Sequence, residues 1–178
     1  MKKYCFVFCI IMSVLLCSCS FSEGEFDLQK SSEQKVANKK FEEILEVLQS
    51  QNGDSLYSMF SANSIKSTEG FDKTINELFK YFIGEVKSYD DWGACYVETS
   101  KENDEIIQVM ESTYDVKTTA YEYRFAIRDI VINTVDSNDI GIQSLYIIKK
   151  VDDAYPEYAY WGDGKFTPGI NIGIPNIE

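Results

Sequence analysis

Gly84 divides the chain into two kinds of apolar spacing, and that division constrains the fold more than any other feature. Before it, Phe71, Ile75, Leu78, Phe79 and Phe82 form one stripe on a 3.6-residue helix, with Gly84 placed for a left-handed C-cap. Two further helices precede this one. Ser31 and Gln34 form a capping box ahead of Ala37, Phe41, Ile44, Leu45 and Leu48, with Gly53 closing that helix; Asp54 then caps a short helix carrying Leu56, Met59 and Phe60, which ends in the polar stretch at Ser67 and Thr68.

Beyond Gly84 the period falls to two, and β-branched and aromatic residues take over. Strands are predicted over 85–89, 94–99, 106–117, 121–133, 140–150 and 155–161, separated by turn-rich segments such as 101–104 and 136–139. No helical pattern separates them, so the connections read as hairpins and the sheet as antiparallel. The class is α+β, with three N-terminal helices packed on the sheet. One strand slips in its alternation. Tyr121, Tyr123, Phe125 and Ile127 are apolar at odd positions, whereas Ile130 and Ile132 are apolar at even ones, so a bulge is predicted near Arg128 and Asp129. Bulged long strands bend, and a strongly curved sheet wrapped around the helices is expected.

The first residues stand apart from this pattern. Lys2 and Lys3 precede an apolar run from Tyr4 to Leu16, too short to span a bilayer, as in a signal peptide. Leu16-Cys17-Ser18-Cys19 resembles the lipobox of bacterial lipoproteins. That resemblance implies cleavage after residue 18, a diacylglyceryl thioether on Cys19, and anchoring at the outer face of the bacterial cell membrane. One acyl chain anchors only marginally, whereas two give stable attachment. Residues 19–32 read as the lipidated Cys and a flexible tether reaching at most roughly 40 Å. Residues 33–178 form the single folded domain.

Composition narrows the chemistry. The 178 residues contain no His, which removes the commonest general base, the Ser-His and Cys-His pairs and the commonest metal ligand. The net charge of -12, from 17 basic and 29 acidic residues, argues against a phosphate-binding face and hence against nucleic acid as a partner. Of five Cys, Cys5 and Cys9 are apolar filler in the leader, and Cys95 is the one unmodified thiol left after processing.

Three segments carry a further resemblance: Gly84-Glu85-Val86-Lys87-Ser88-Tyr89-Asp90-Asp91-Trp92-Gly93, Ser144-Leu145-Tyr146-Ile147, and Ala159 to Ile170 with its Tyr160-Trp161-Gly162-Asp163-Gly164 core. With the lipobox and the helices-then-sheet order, the chain resembles an uncharacterised family of Gram-positive lipoproteins, domain of unknown function 5104, over most of residues 33–172. The resemblance implies a nuclear-transport-factor-2-like, cystatin-like cone. It implies no activity, because that superfold carries many unrelated functions.

Each candidate site has a plainer reading beside it. Cys95 reads as a buried strand thiol rather than a nucleophile, with no His to activate it. The 136–141 segment begins like a calcium loop, but Ile140 and Ile147 occupy positions that need oxygen, so it reads as a polar turn. Arg124 and Arg128 suit an anionic ligand or, more simply, carboxylates such as Glu122, Asp129 or an acid on a neighbouring strand. Asp115, with Tyr114, Tyr123 and Tyr146, offers acid and tyrosine chemistry without His, against the plain reading of core and rim tyrosines. The Gly- and Pro-rich 161–175 segment is expected either to line the open end of the cone with Trp92 or to make a hairpin and strap over the sheet.

The expected ligand-binding set is therefore Trp92, Tyr114, Arg124, Tyr146, Trp161 and Asp163, with no metal or cofactor. The expected function is non-enzymatic binding of a small molecule or an envelope protein. An enzyme using an Asp/Tyr pair, or an immunity-type protector protein, are the alternatives.

Overall fold

The computed structural model describes residues 23–93, 95–152 and 166–173, with side chains described from residue 32. Cys19, Trp161, Asp163 and the strand expected over 155–161 lie outside the described residues. Among the described residues four helices, rather than three, precede the sheet: α1 (Glu23–Ser50), α2 (Gly53–Met59), α3 (Ala62–Ser67) and α4 (Phe71–Tyr81). The extra boundary falls at Phe60 and Ser61. Phe60 is extended and bridges Ile142, Ser61 N–H donates to the Ile142 carbonyl at 3.1 Å, and Ser61 Oγ accepts from Ser64 N–H to start α3. Two sheet contacts and a new N-cap outweigh one more helical turn.

Other helix ends also shift from those expected. Helix α1 runs through Ser31, and Gln34 is used elsewhere, its Oε1 accepting from Cys95 N–H at 2.6 Å and its amide donating to Asn38. Gln51, not Gly53, takes the left-handed conformation after α1, and Asn52, not Asp54, caps α2 by accepting from Ser55 N–H. Helix α4 matches its stripe. Phe71, Ile75 and Leu78 are buried, with Phe82 at the cap, and each such side chain contributes about 1.5–3 kcal/mol of burial.

The sheet has six described strands: β1 (Val86–Asp91), β2 (Tyr96–Glu102), β3 (Glu105–Thr118), β4 (Glu122–Asn133), β5 (Gly141–Lys149) and β6 (Gly169–Ile172). Both β1 and β2 pair with β3, end to end along one edge, and β4, β5 and β6 follow on the other. The first four pairings are antiparallel, but β6 runs parallel to β5, so the sheet is mixed. The reason is local. Chain that leaves β5 at Lys149 re-enters at Gly169, beside Ser144, and so runs in the same direction as β5 rather than turning back on it.

The slip in β4 is real. Register shifts occur between Arg128 and Asp129 against β5, and between Gln108 and Val109 where β3 meets β4. Gly141 opens β5 with φ +119, and a Cβ there would come within 3.0 Å of Met59 O and Ser61 N, so only glycine lets β5 pass the α2–α3 break this closely. The main core lies between the helices and one sheet face. Phe41 stacks on Tyr114 with ring centroids 3.8 Å apart, and Phe125, Leu145 and Ile147 complete the same layer.

Candidate functional site

The expected binding residues divide between the two sheet faces. Pairing of Asp115 with Arg124, Glu111 with Arg128 and Ala126 with Tyr146 places all of these on the face away from the helices. The Trp92 ring lies 4.5 Å from the Arg124 guanidinium, and Phe166 lies 5.6 Å from that of Arg128. Trp92 and Arg124 are therefore brought together, with Tyr146 on the same face. Both arginines engage acids of the neighbouring strand: Arg124 Nε donates to Asp115 Oδ1 at 2.9 Å, and Arg128 Nη1 pairs with Glu111 Oε1 at 2.5 Å. The structural pairing expected of them is the one observed, with β3 supplying the acids.

Tyr114 belongs to the other face. It is fully buried under Phe41, and no described group meets hydrogen-bond geometry with its hydroxyl. Burial raises its pKa far above the ordinary phenol value, with the nearby Ser112 side chain acting the other way. The other tyrosines considered for proton transfer are committed to structure. Tyr123 Oη donates to the Tyr81 carbonyl at 3.0 Å and accepts from Ile83 N–H at 2.9 Å; Tyr146 Oη donates to the Gly173 carbonyl at 3.0 Å. Asp115 holds Arg124 and Lys150. No acid and tyrosine meet among these four residues.

The 136–141 segment is a short 3-10 turn. Asp136 accepts from Asn138 N–H, and Asn63 donates to both Asp136 and Asp139, so the acids tie the turn to α3. Cys95 is buried beside Ala37 and Met110, and burial above all pushes its thiol up to about 11.

An open cavity of about 300 Å³ lies elsewhere, between α1 and the shifted part of β4. Ala37, Lys40, Met110, Ser112, Ile127 and Asp129 are among the residues that line it, and most of its wall is apolar. Its volume is at the lower end of the range for small-molecule sites. Asp129 is its distinctive group. The residue is only 8% exposed, and among the described residues no donor reaches its Oδ1. Burial raises its pKa, and Lys40 offsets this in part.

Asp129 was visible in the sequence as a possible partner for arginine, not as a site residue. The slip read at Arg128 and Asp129 would turn odd positions beyond it outward, so the sequence did not signal its burial. In the structure Asp129 pairs with Met110 in unshifted register with β3, and the carboxyl extends the core-facing row of Tyr123, Phe125 and Ile127.

A model described as Domain of unknown function (DUF5104) matches residues 43–150. No curated protein matches the chain. The matched stretch includes Glu43, Met110, Ser112 and Asp129 of the cavity wall, whereas Ala37 and Lys40 precede it.

Proposed function

The chain belongs to the family of the domain of unknown function DUF5104, and on that premise we propose that it is a lipid-anchored, extracytoplasmic domain that holds a small molecule between α1 and the sheet without converting it. The open cavity containing an unpartnered acid carries this reading, since a core built only for stability would close over such a group or supply a donor. The lipobox-like Leu16-Cys17-Ser18-Cys19 supports anchoring through Cys19, at the outer face of a bacterial cell membrane. Helices followed by a sheet with long, register-shifted strands support a nuclear-transport-factor-2-like architecture, and the absence of His favours binding over catalysis.

An enzyme remains the second reading because Asp129 is a buried acid facing an open cavity. Its missing element is a tyrosine partner, since Tyr123 and Tyr146 are bonded to the backbone and the buried Tyr114 hydroxyl makes no hydrogen bond to Asp129.

Native mass spectrometry of the full chain, taken from its own host in lipid nanodiscs, tests the binding reading. Retention of a small molecule is expected, and a chain that carries only bilayer lipid would count against it. Replacement of Cys19 with Ser tests the anchor. It should release the protein from the membrane fraction, and unchanged attachment would contradict lipidation at that residue.

A further inference from the structure

The shape of the Asp129 environment specifies what the cavity accepts. Its carboxyl lines the cavity, while Oδ1 is enclosed and receives no hydrogen bond from any described group. An ionised carboxylate spreads its charge over both oxygens, so ionisation would leave charge on an enclosed atom without a donor, at considerable cost. A neutral acid avoids that cost. Oδ1 then serves as the carbonyl oxygen, and the proton resides on the other oxygen, available as a donor. Ala37, Met110, Ile127 and Val131 are among the acid's apolar neighbours in the wall, with Ser112 as a second hydroxyl.

We propose that the cavity binds a small, uncharged, mainly apolar molecule through a carbonyl oxygen that accepts a hydrogen bond from the protonated Asp129 side chain. This rests on the binding reading above and names its ligand class and recognition residue. An anionic ligand would give up its hydration for a mostly apolar wall, with Lys39 and Glu43 exposed to solvent and Lys40 half-buried, and a cationic one would require Asp129 to ionise with Oδ1 still without a donor. A neutral carbonyl compound meets neither cost. The charged groups that share the cavity wall with Asp129 are Lys39, Lys40 and Glu43 on α1, and the Cys95 thiol lies within electrostatic reach of it, whereas Glu111 is turned to the other sheet face with Arg128. Lys40 favours ionisation, whereas enclosure opposes it and dominates. Carbonyl binding should therefore weaken as pH rises and Asp129 loses its proton.

Methyl-labelled methionine in the full chain, held in lipid nanodiscs, gives a local readout. Met110 lines the cavity, and Met110→Leu identifies its resonance; Met59, outside the cavity lining, serves as an internal control. The probes are 2-octanone, octane, octylamine and octanoate, titrated at pH 5 and pH 8. 2-Octanone should shift the Met110 resonance at lower concentration than the other three, more strongly at pH 5. Asp129→Leu should weaken 2-octanone about tenfold, the usual scale for loss of one buried hydrogen bond, while octane binds at least as well. Asp129→Asn keeps a neutral donor, and it should retain 2-octanone binding with the pH dependence lost.

If no probe moves Met110, the binding reading itself fails. If octane and 2-octanone bind equally to the unaltered chain and to Asp129→Leu, the cavity binds ligands but Asp129 does not recognise a carbonyl. Preference for octylamine, growing with pH, would overturn the neutral acid in favour of an ionised one. Preference for octanoate would overturn the uncharged ligand class.

Discussion

Arg124 and Asp115 stand directly opposite each other on β4 and β3, and the guanidinium meets the carboxylate at two points, Nε to Oδ1 at 2.9 Å and Nη2 to Oδ2 at 3.3 Å. Lys150 Nζ reaches the same Oδ2 at 3.1 Å. The Arg124 side chain is 10% exposed and that of Asp115 24%, so the contact is partly withdrawn from water. Removing one partner of such a pair strands the other.

Arg124→Ala should therefore lower stability by about 2–3 kcal/mol, less than for a fully buried pair because Lys150 still serves Asp115. Burial by itself raises the Asp115 pKa, but Arg124 and Lys150 together hold it below the ordinary carboxylate value. Because the folded value is lowered, the stabilisation is complete above the unfolded value, near pH 4, and is lost as pH falls through the folded one. Urea unfolding at pH 7 and pH 3 measures this. The difference between the unaltered chain and Asp115→Asn should shrink at pH 3; an unchanged difference would remove ionisation of Asp115 as its source.

Two tyrosines on the same sheet face should respond in opposite ways to loss of their hydroxyls. Tyr123→Phe leaves the Tyr81 carbonyl and the Ile83 N–H without their partner and should cost about 1–3 kcal/mol. Tyr114→Phe removes a hydroxyl that no described group satisfies, and should be neutral or stabilising by up to about 1 kcal/mol. Thermal unfolding of both variants separates them. Equal losses would imply that the Tyr114 hydroxyl has a partner after all.

Cys95 should behave as a packed side chain rather than a reagent. With its thiol pushed up to about 11, little thiolate exists at pH 8, and burial further restricts access. Alkylation by iodoacetamide, followed on the Cys95 peptide by mass spectrometry, should be slow in the native protein and fast in urea. Rapid native labelling would revive the nucleophile reading.

What the sequence revealed depended on how far each signal reached. The stripe from Phe71 to Phe82 and the slip at Arg128 and Asp129 are patterns along one segment, and both correspond to observed features. The break at Phe60 depends on a contact with Ile142, more than eighty residues away, so no local spacing could reveal it. Strand β6 was hidden for another reason. Its four residues follow Pro168 and begin at Gly169, a composition that reads as loop, and its pairing is supplied by β5. The site was less legible than the fold. Trp92, Arg124 and Tyr146 share one face as their strand positions allowed, but the open cavity formed on the opposite side, where the odd-numbered series of β4 reaches Asp129 and Val131.

Strand β6 also bears on how the molecule opens. It is short and comes late in the chain, held to β5 by a four-residue ladder, by Gly173 N–H on the Ile147 carbonyl, and by side-chain bonds from Asn171 and Tyr146. Its release would break few of the described bonds, so it is the natural unit to detach before the rest unfolds. Such a partly open state would unpair the outer edge of β5 and uncover Ile170 together with Leu145 and Ile147, otherwise buried. That edge would present unpaired backbone N–H and C=O groups, so β6 acts as the cover that keeps β5 from pairing with another chain.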